Sequence, residues 1–224
     1  MPDRHSAYQY AHSYSQPEPP VLAKIRQAAV ASNPAEAQKM ISPLQGAFMR
    51  HLVSTQRPKS VLELGSYIGY STIWLAQGLQ ANPGATLCTC ESDPAIANVA
   101  EENIKLAGLA DTVRVVNAPA DLLLREWDPS HKIDLVFIDA NKSAYKRYYT
   151  SILGRDLLSD HGQIIVDNVL FHGKVHTQTT KESGDAKGIA LKMHRFNEFV
   201  ASDPRTTQVL LPVFDGLLLI QKAK

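Results

Sequence analysis

Short apolar β-type runs that take turns with longer amphipathic stretches predict an α/β fold with a mainly parallel sheet covered on both faces. From residue 60 the runs fall at 61–64, 86–90, 113–116, 135–138 and 164–166, and helix-like segments lie between them near 70–80, 94–107, 119–126 and 144–157. A strand-and-helix rhythm of this kind is the pattern of βαβ units. The rhythm then breaks. A helical stretch near 187–202 leads into two further runs, 207–211 and 217–220, with only the turn 212–216 between them. Five residues cannot carry a parallel crossover, so these last two strands are predicted to be antiparallel neighbours.

Upstream of residue 60 the texture differs. Residues 1–20 are polar and aromatic and end in Gln16-Pro17-Glu18-Pro19-Pro20. Proline at this density blocks helix continuation, which predicts an extended N-terminal arm. Helical spacing follows over 21–30 and 43–54, where Leu44, Phe48, Met49 and Leu52 recur at three or four residues, with Asn33-Pro34 and Ser42-Pro43 as punctuation. The expected organisation is an arm (1–20) and a single domain (21–224), the latter with a helical part (21–56) and an α/β core (57–224). There is no internal repeat or low-complexity segment. The polar, Thr-rich stretch 171–184 is a candidate lid or substrate loop.

Composition narrows the function classes. The chain has 224 residues, 44% hydrophobic and 20% charged, enough apolar content for a sizeable core and against wholesale disorder. A net charge of +1 is no footprint for a dedicated duplex-DNA binder. Two cysteines do not make a disulfide scaffold and fit a reducing compartment. Met1-Pro2-Asp3-Arg4-His5-Ser6 lacks the apolar run of a signal peptide, and no stretch approaches the roughly 18 apolar residues of a membrane span. A cytoplasmic protein is expected.

Three places carry chemistry. The first is Val61-Leu62-Glu63-Leu64-Gly65-Ser66-Tyr67-Ile68-Gly69-Tyr70-Ser71-Thr72, at the first strand-to-helix turn. Glycine there permits a tight turn and close approach of a ligand at the strand's carboxyl end. The G-x-x-x-G spacing is not the G-x-G-x-x-G that cradles a pyrophosphate, and Glu63 would repel a pyrophosphate but attract an ammonium group. The second is Glu91, closing the second strand, where an acidic side chain in doubly wound folds takes both ribose hydroxyls. Asp93 and Pro94 beside it also read as the cap and first position of a helix. The third is a pair of strand ends, Phe137-Ile138-Asp139-Ala140-Asn141-Lys142 and Ile165-Val166-Asp167-Asn168. Adjacent parallel strands set Asp139 and Asp167 side by side, where two carboxylates repel unless a cation sits between them. Asn168 adds a neutral oxygen, and this set of hard donors suits Mg²⁺ or a similar ion. An isolated aspartate at a strand end is ordinarily a cap or turn former; the pair, with Lys142 nearby, argues for more.

These segments, together with Asp167-Asn168-Val169-Leu170 and Asp215-Gly216-Leu217, resemble the cation-dependent, S-adenosylmethionine-dependent O-methyltransferases, which include the catechol and caffeoyl-CoA O-methyltransferases. The likeness runs from about residue 40 to 221. It implies a Rossmann-like class I methyltransferase fold, a seven-stranded mostly parallel sheet with one antiparallel strand. It implies that Glu63 and Ser71 hold the methionine amino and carboxylate groups, and that Gly65, Ser66 and Tyr67 line the cofactor with Ile41 behind it. Glu91 would bind the ribose and Ala120 would meet the adenine. Asp139, at the cofactor's edge, would ligate the metal with Asp167 and Asn168, and Lys142 would be the general base. The ion would be Mg²⁺, with Ca²⁺ or Mn²⁺ as alternatives, the acceptor a phenolic or catechol-type small molecule, and the assembly a homodimer. Two departures bear on substrate: Asn141 stands where many relatives carry an acid, and Leu218 where the animal catechol enzymes carry a glutamate. Phe171, His172, Lys174 and His176 are expected to read the acceptor, with His172 more readily a surface-loop histidine than a ligand. Tyr145, Tyr148 and Tyr149 either edge the acceptor pocket or pack, Arg195-Phe196-Asn197 is expected to pack against the sheet, and Cys88, Cys90 and Trp74 are expected to be core residues. A tRNA hydroxyuridine methyltransferase and, more distantly, a nicotinamide oxidoreductase are the alternatives. Near-neutral charge speaks against the first, the missing G-x-G-x-x-G against the second.

Overall fold

The computed structural model describes residues 4–175 and 188–223. Four helices precede the sheet: α1 (Arg4–Ser13), α2 (Pro20–Ser32), the single turn α3 (Pro34–Ala37) and α4 (Pro43–Gln56). Then come β1 (Ser60–Leu64), α5 (Tyr70–Leu79), β2 (Thr86–Glu91), α6 (Pro94–Leu106), β3 (Val113–Asn117), α7 (Ala120–Glu126), β4 (Ile133–Ile138), a 3₁₀ turn (Lys142–Ala144) and α8 (Tyr145–Gly154). The chain closes with β5 (Leu158–Val166), α9 (Ile189–Ala201), β6 (Thr206–Leu211) and β7 (Leu217–Lys222). Among the described residues no helix is long and apolar enough to cross a membrane.

Local chemistry sets the element ends. Ser42 accepts from the Gln45 amide at 3.2 Å with Pro43 behind it, and Asp93 accepts from the amides of Ala95 and Ile96 at 2.8 and 3.2 Å with Pro94 in the first helical position. A side-chain acceptor before a first-turn proline satisfies amides that have no partner inside the helix.

The extended arm is corrected over Arg4–Ser13, which is helical. Proline restricts its own position and the residue before it, and none lies between residues 3 and 16. Tyr8 stacks on His12 at 6.3 Å and Tyr10 meets Tyr14 at 4.6 Å, each four residues apart as neighbours on a helix are. Between α1 and α2 the chain turns at 14–15 and lacks regular structure over 16–19, where Pro17 and Pro19 lie.

The seven-stranded sheet has the order β3-β2-β1-β4-β5-β7-β6, with β7 antiparallel to both neighbours and the rest parallel. Strand parity divides the core. Leu62, Leu64, Val136, Ile138 and Ile164 face a layer built on Tyr145, Tyr149 and Phe196, whereas Val61, Leu135, Phe137 and Ile165 face Trp74, Leu75 and Met49. Cys88, Cys90 and Trp74 are buried as expected. Successive strands are laid to opposite sides of β1, so the order reverses between β1 and β4 and a crevice opens at their carboxyl ends.

Candidate active site

The crevice is a cleft of about 780 Å³, within the usual range for small-molecule sites. Its floor is the turn after β1. Gly65 has φ +96°, and a Cβ there would lie 2.7 Å from the Asp139 carbonyl oxygen, so only glycine lets the ends of β1 and β4 meet. Ser66 donates its amide to the Cys90 carbonyl at 3.0 Å, and Gly69 donates back to Ser66 at 2.8 Å. This curl brings the start of α5, Tyr70 and Ser71, to the cleft, and a helix N-terminus there suits a carboxylate.

Glu63 does not line the cleft. The pleat turns it toward α5 and its register partner Thr89, where it is fully buried. Ser71 Oγ donates to it at 2.6 Å and Thr89 Oγ1 at 2.7 Å, and Thr72 Oγ1 donates as well. Burial pushes this carboxyl's pKa up, while the three hydroxyls draw it down. Ser71 stands between Glu63 and the opening, and it does line the cleft. Glu63 thus stands as a buried brace behind Ser71 rather than on the cleft surface.

At the β2 end, Glu91 Oε2 accepts from the Tyr67 amide at 3.2 Å and Oε1 from the Asp93 amide at 3.0 Å. Both bonds aim the carboxylate along one wall. Ala120, at the start of α7, forms the wall with Ala118 and Pro119, and Ile41 closes it from the segment before α4.

At the other end the two predicted acids meet. Asp139 donates its amide to Leu64 and Asp167 donates its amide to Ile138, each at 3.0 Å, which places them at equivalent steps of adjacent strands. Asp167 Oδ1 accepts from the Asn168 amide at 2.7 Å and Oδ2 from Gln45 Nε2 at 2.8 Å. Lys142 Nζ lies 3.3 Å from Asp139 Oδ1. Burial raises the pKa of both acids; Lys142 pulls Asp139 back, while the Asp139 charge pushes Asp167 further up. Asn168 lines the same end with φ +59°, a conformation asparagine tolerates better than most residues. Among the described residues no three His, Cys, Asp or Glu side chains group as a metal site; the donor set is two carboxylates and an amide. Such buried, mutually repelling acids beside a neutral oxygen fit one hard divalent cation.

All the predicted cofactor, metal and base residues except Glu63 therefore line one cleft; of the residues expected to read the acceptor His172 lines it, whereas Lys174 does not and Phe171 packs against the core. Tyr148 edges the cleft, whereas Tyr145 and Tyr149 are packed beneath. His172, Asn141, Phe214 and Asp215 complete the acceptor end; His176 and residues 177–184 lie outside the described residues. Leu218 is buried on β7 opposite Val166, away from the lining. Arg195 is exposed rather than packed, while Phe196 is buried. Gln45 is a residue the sequence reading missed; its signal was a glutamine in the first turn of a helix whose buried face is otherwise apolar, just after the Ser42-Pro43 cap.

A model of the O-methyltransferase family matches residues 11–223. The chain belongs to the O-methyltransferase family. It is 35% identical over 187 residues to a catechol O-methyltransferase of Niastella koreensis, covering 80% of each chain. It is 37% identical over 169 residues to a catechol O-methyltransferase of Mycobacterium tuberculosis, covering 74% of this chain and 71% of the relative. The crystal structure of SAH-bound Podospora anserina methyltransferase PaMTH1 superposes with a TM-score of 0.91 at 29% identity, covering 100% of this chain and 98% of that one. The expected seven-stranded O-methyltransferase fold is borne out.

Proposed function

We propose that this O-methyltransferase moves the methyl group of S-adenosylmethionine to one hydroxyl of a catechol-type or hydroxycinnamoyl-type small molecule. A divalent cation, Mg²⁺ first and Ca²⁺ or Mn²⁺ as alternatives, would be held by Asp139, Asp167 and Asn168. The observation that carries the reading is the pair of buried carboxylates sharing one cleft end with Lys142. The catechol-methylating relatives and the cofactor product in the Podospora structure support it.

When bound, S-adenosylmethionine supplies an electrophilic methyl carbon on a sulfonium, and the cation supplies positive charge that favours the ionised acceptor oxygen. The rest falls to the chain. Glu91 takes the ribose hydroxyls, and Ala120 with Ile41 encloses the adenine. The α5 amides and Ser71, braced by Glu63, receive the carboxylate of the methionine part. With its amine in the neutral form, Lys142 Nζ would accept the proton of the acceptor hydroxyl. The oxygen so freed would face that methyl carbon, whose transfer would leave the sulfur as a thioether. The walls contribute by keeping oxygen, carbon and sulfur aligned near contact distance. The resemblance extends to a cytoplasmic homodimer, and the buried, unpaired thiols of Cys88 and Cys90 suit a reducing compartment.

The reading is tested with labelled S-adenosylmethionine and an acceptor panel of catechol, caffeate, matched monohydric phenols and tRNA. Label should enter the vicinal diols and not the monophenols. Label entering monophenols equally, or tRNA alone, would overturn it.

A further inference from the structure

We propose that Asp215 is a positioning residue that turns the Asn168 amide so that its oxygen, rather than its NH₂ group, is offered at the acid pair. The inference rests on the cation reading above and adds a residue to it. Asn168 Nδ2 donates to Asp215 Oδ2 at 3.1 Å. Only the NH₂ end of an amide can donate to a carboxylate, so this bond settles which end is which. Oδ1 becomes the free end, on a residue that lines the cleft.

The same carboxylate holds the backbone that carries Asn168. Asp215 Oδ1 accepts from the His172 amide, its backbone oxygen accepts from Leu170 at 3.0 Å, and the Gly216 oxygen accepts from Val169 at 3.2 Å. These bonds bridge two stretches that both adopt left-handed backbone. Asn168, Phe171, His172 and Gly173 have φ of +59°, +42°, +54° and +73°, and Phe214 and Gly216, on either side of Asp215, have +55° and +86°. Bulky residues such as Phe171 and Phe214 avoid this region unless their surroundings impose it. At Gly216 a Cβ would lie 2.8 Å from the Leu170 amide nitrogen, so the close contact of the two stretches requires glycine there. Asp215, one-fifth exposed, stands at the junction with two acceptor oxygens for two donors. No neutral side chain of this size offers the same pair, because asparagine has one carbonyl oxygen and an NH₂ that would face the NH₂ of Asn168.

The test is Mn²⁺ binding to the chelator-treated, full-length protein without cofactor or acceptor, read by electron paramagnetic resonance of free Mn²⁺. Asp215→Asn should weaken binding by roughly 10- to 100-fold, the range for losing a partner that orients a metal ligand. In an Asn168→Ala background the same change should add about twofold or less, because the role runs through Asn168. A second measurement needs no variant. The Asn168 side-chain NH₂ protons of the wild-type protein should appear as a widely separated, slowly exchanging pair in amide nuclear magnetic resonance spectra. Wild-type binding matched by Asp215→Asn, a loss that persists in the Asn168→Ala background, or an averaged Asn168 amide signal overturns the role of Asp215 alone. A wild-type protein that takes up no Mn²⁺ overturns the cation reading, and this role with it.

Discussion

Asp167→Asn should stabilise the cation-free protein at pH 8 while ending its activity. Asp139 and Asp167 sit at equivalent steps of neighbouring strands, about 4.8 Å apart across a sheet. Two unit charges at that spacing repel by about 3 kcal/mol at an effective dielectric constant near 20, with Lys142 offsetting part of it. The amide keeps an oxygen for the Asn168 N–H, and Gln45 can rotate its own amide to present an acceptor to the new NH₂, so little bonding is lost. The expected net gain is about 2 kcal/mol, or roughly 4–8 °C in Tm for a domain of this size. Both acids have pKa values raised in the folded state. The folded wild type therefore holds protons that the unfolded chain has released, and its stability falls as pH rises from about 4 through the raised values. Urea unfolding in excess chelator at pH 5 and pH 8 should show the variant ahead at pH 8, the two near parity at pH 5, and a flatter pH slope in the variant. A variant less stable than wild type at pH 8, with an unchanged slope, would refute the charge-repulsion argument.

Three further outcomes follow from the geometry. Lys142→Ala should lower turnover by about 10²- to 10⁴-fold, the usual worth of a general base, with cofactor affinity nearly intact; equal loss of both in calorimetry and rate measurements would remove its role as base. Glu91→Ala should weaken cofactor binding by about tenfold or more, as charge-assisted bonds to the ribose are lost, while Mn²⁺ affinity holds; unchanged cofactor affinity would mean the ribose lies elsewhere. Gly78→Ala should destabilise by about 1–2 kcal/mol although alanine is the better helix former. Its Cβ would sit 2.7 Å from Val53 Cβ and 2.8 Å from the Arg50 carbonyl oxygen, where α5 crosses α4; a rise in the urea midpoint would show that the helices can part.

Much of this arrangement was legible because strand tips are local features of the chain. Asp139 and Asp167 each follow an apolar run, and once two such runs are parallel neighbours their next residues must meet. The antiparallel β6–β7 pair was legible from the length of one turn. β5 reads short in the sequence, at 164–166, because Ser159 is half-buried and Asp160 and His161 are exposed where the β4–β5 register shifts. What local pattern misses is direction and distance. Glu63 was placed in the cleft because its position in the chain was read without the parity that turns it toward Thr89. Gln45 is 122 residues from Asp167 in sequence, so no spacing rule joins them. The helix α1 was hidden by prolines that lie just beyond its end.

The central claim is that two acids and an amide at neighbouring strand ends hold the ion that methyl transfer requires. The most direct measurement is the rate of label transfer from S-adenosylmethionine to catechol after exhaustive chelation, then with Mg²⁺ restored. The account predicts transfer abolished by chelation and recovered with Mg²⁺ in the wild type, and no recovery in Asp167→Asn. Undiminished transfer in chelator would contradict it.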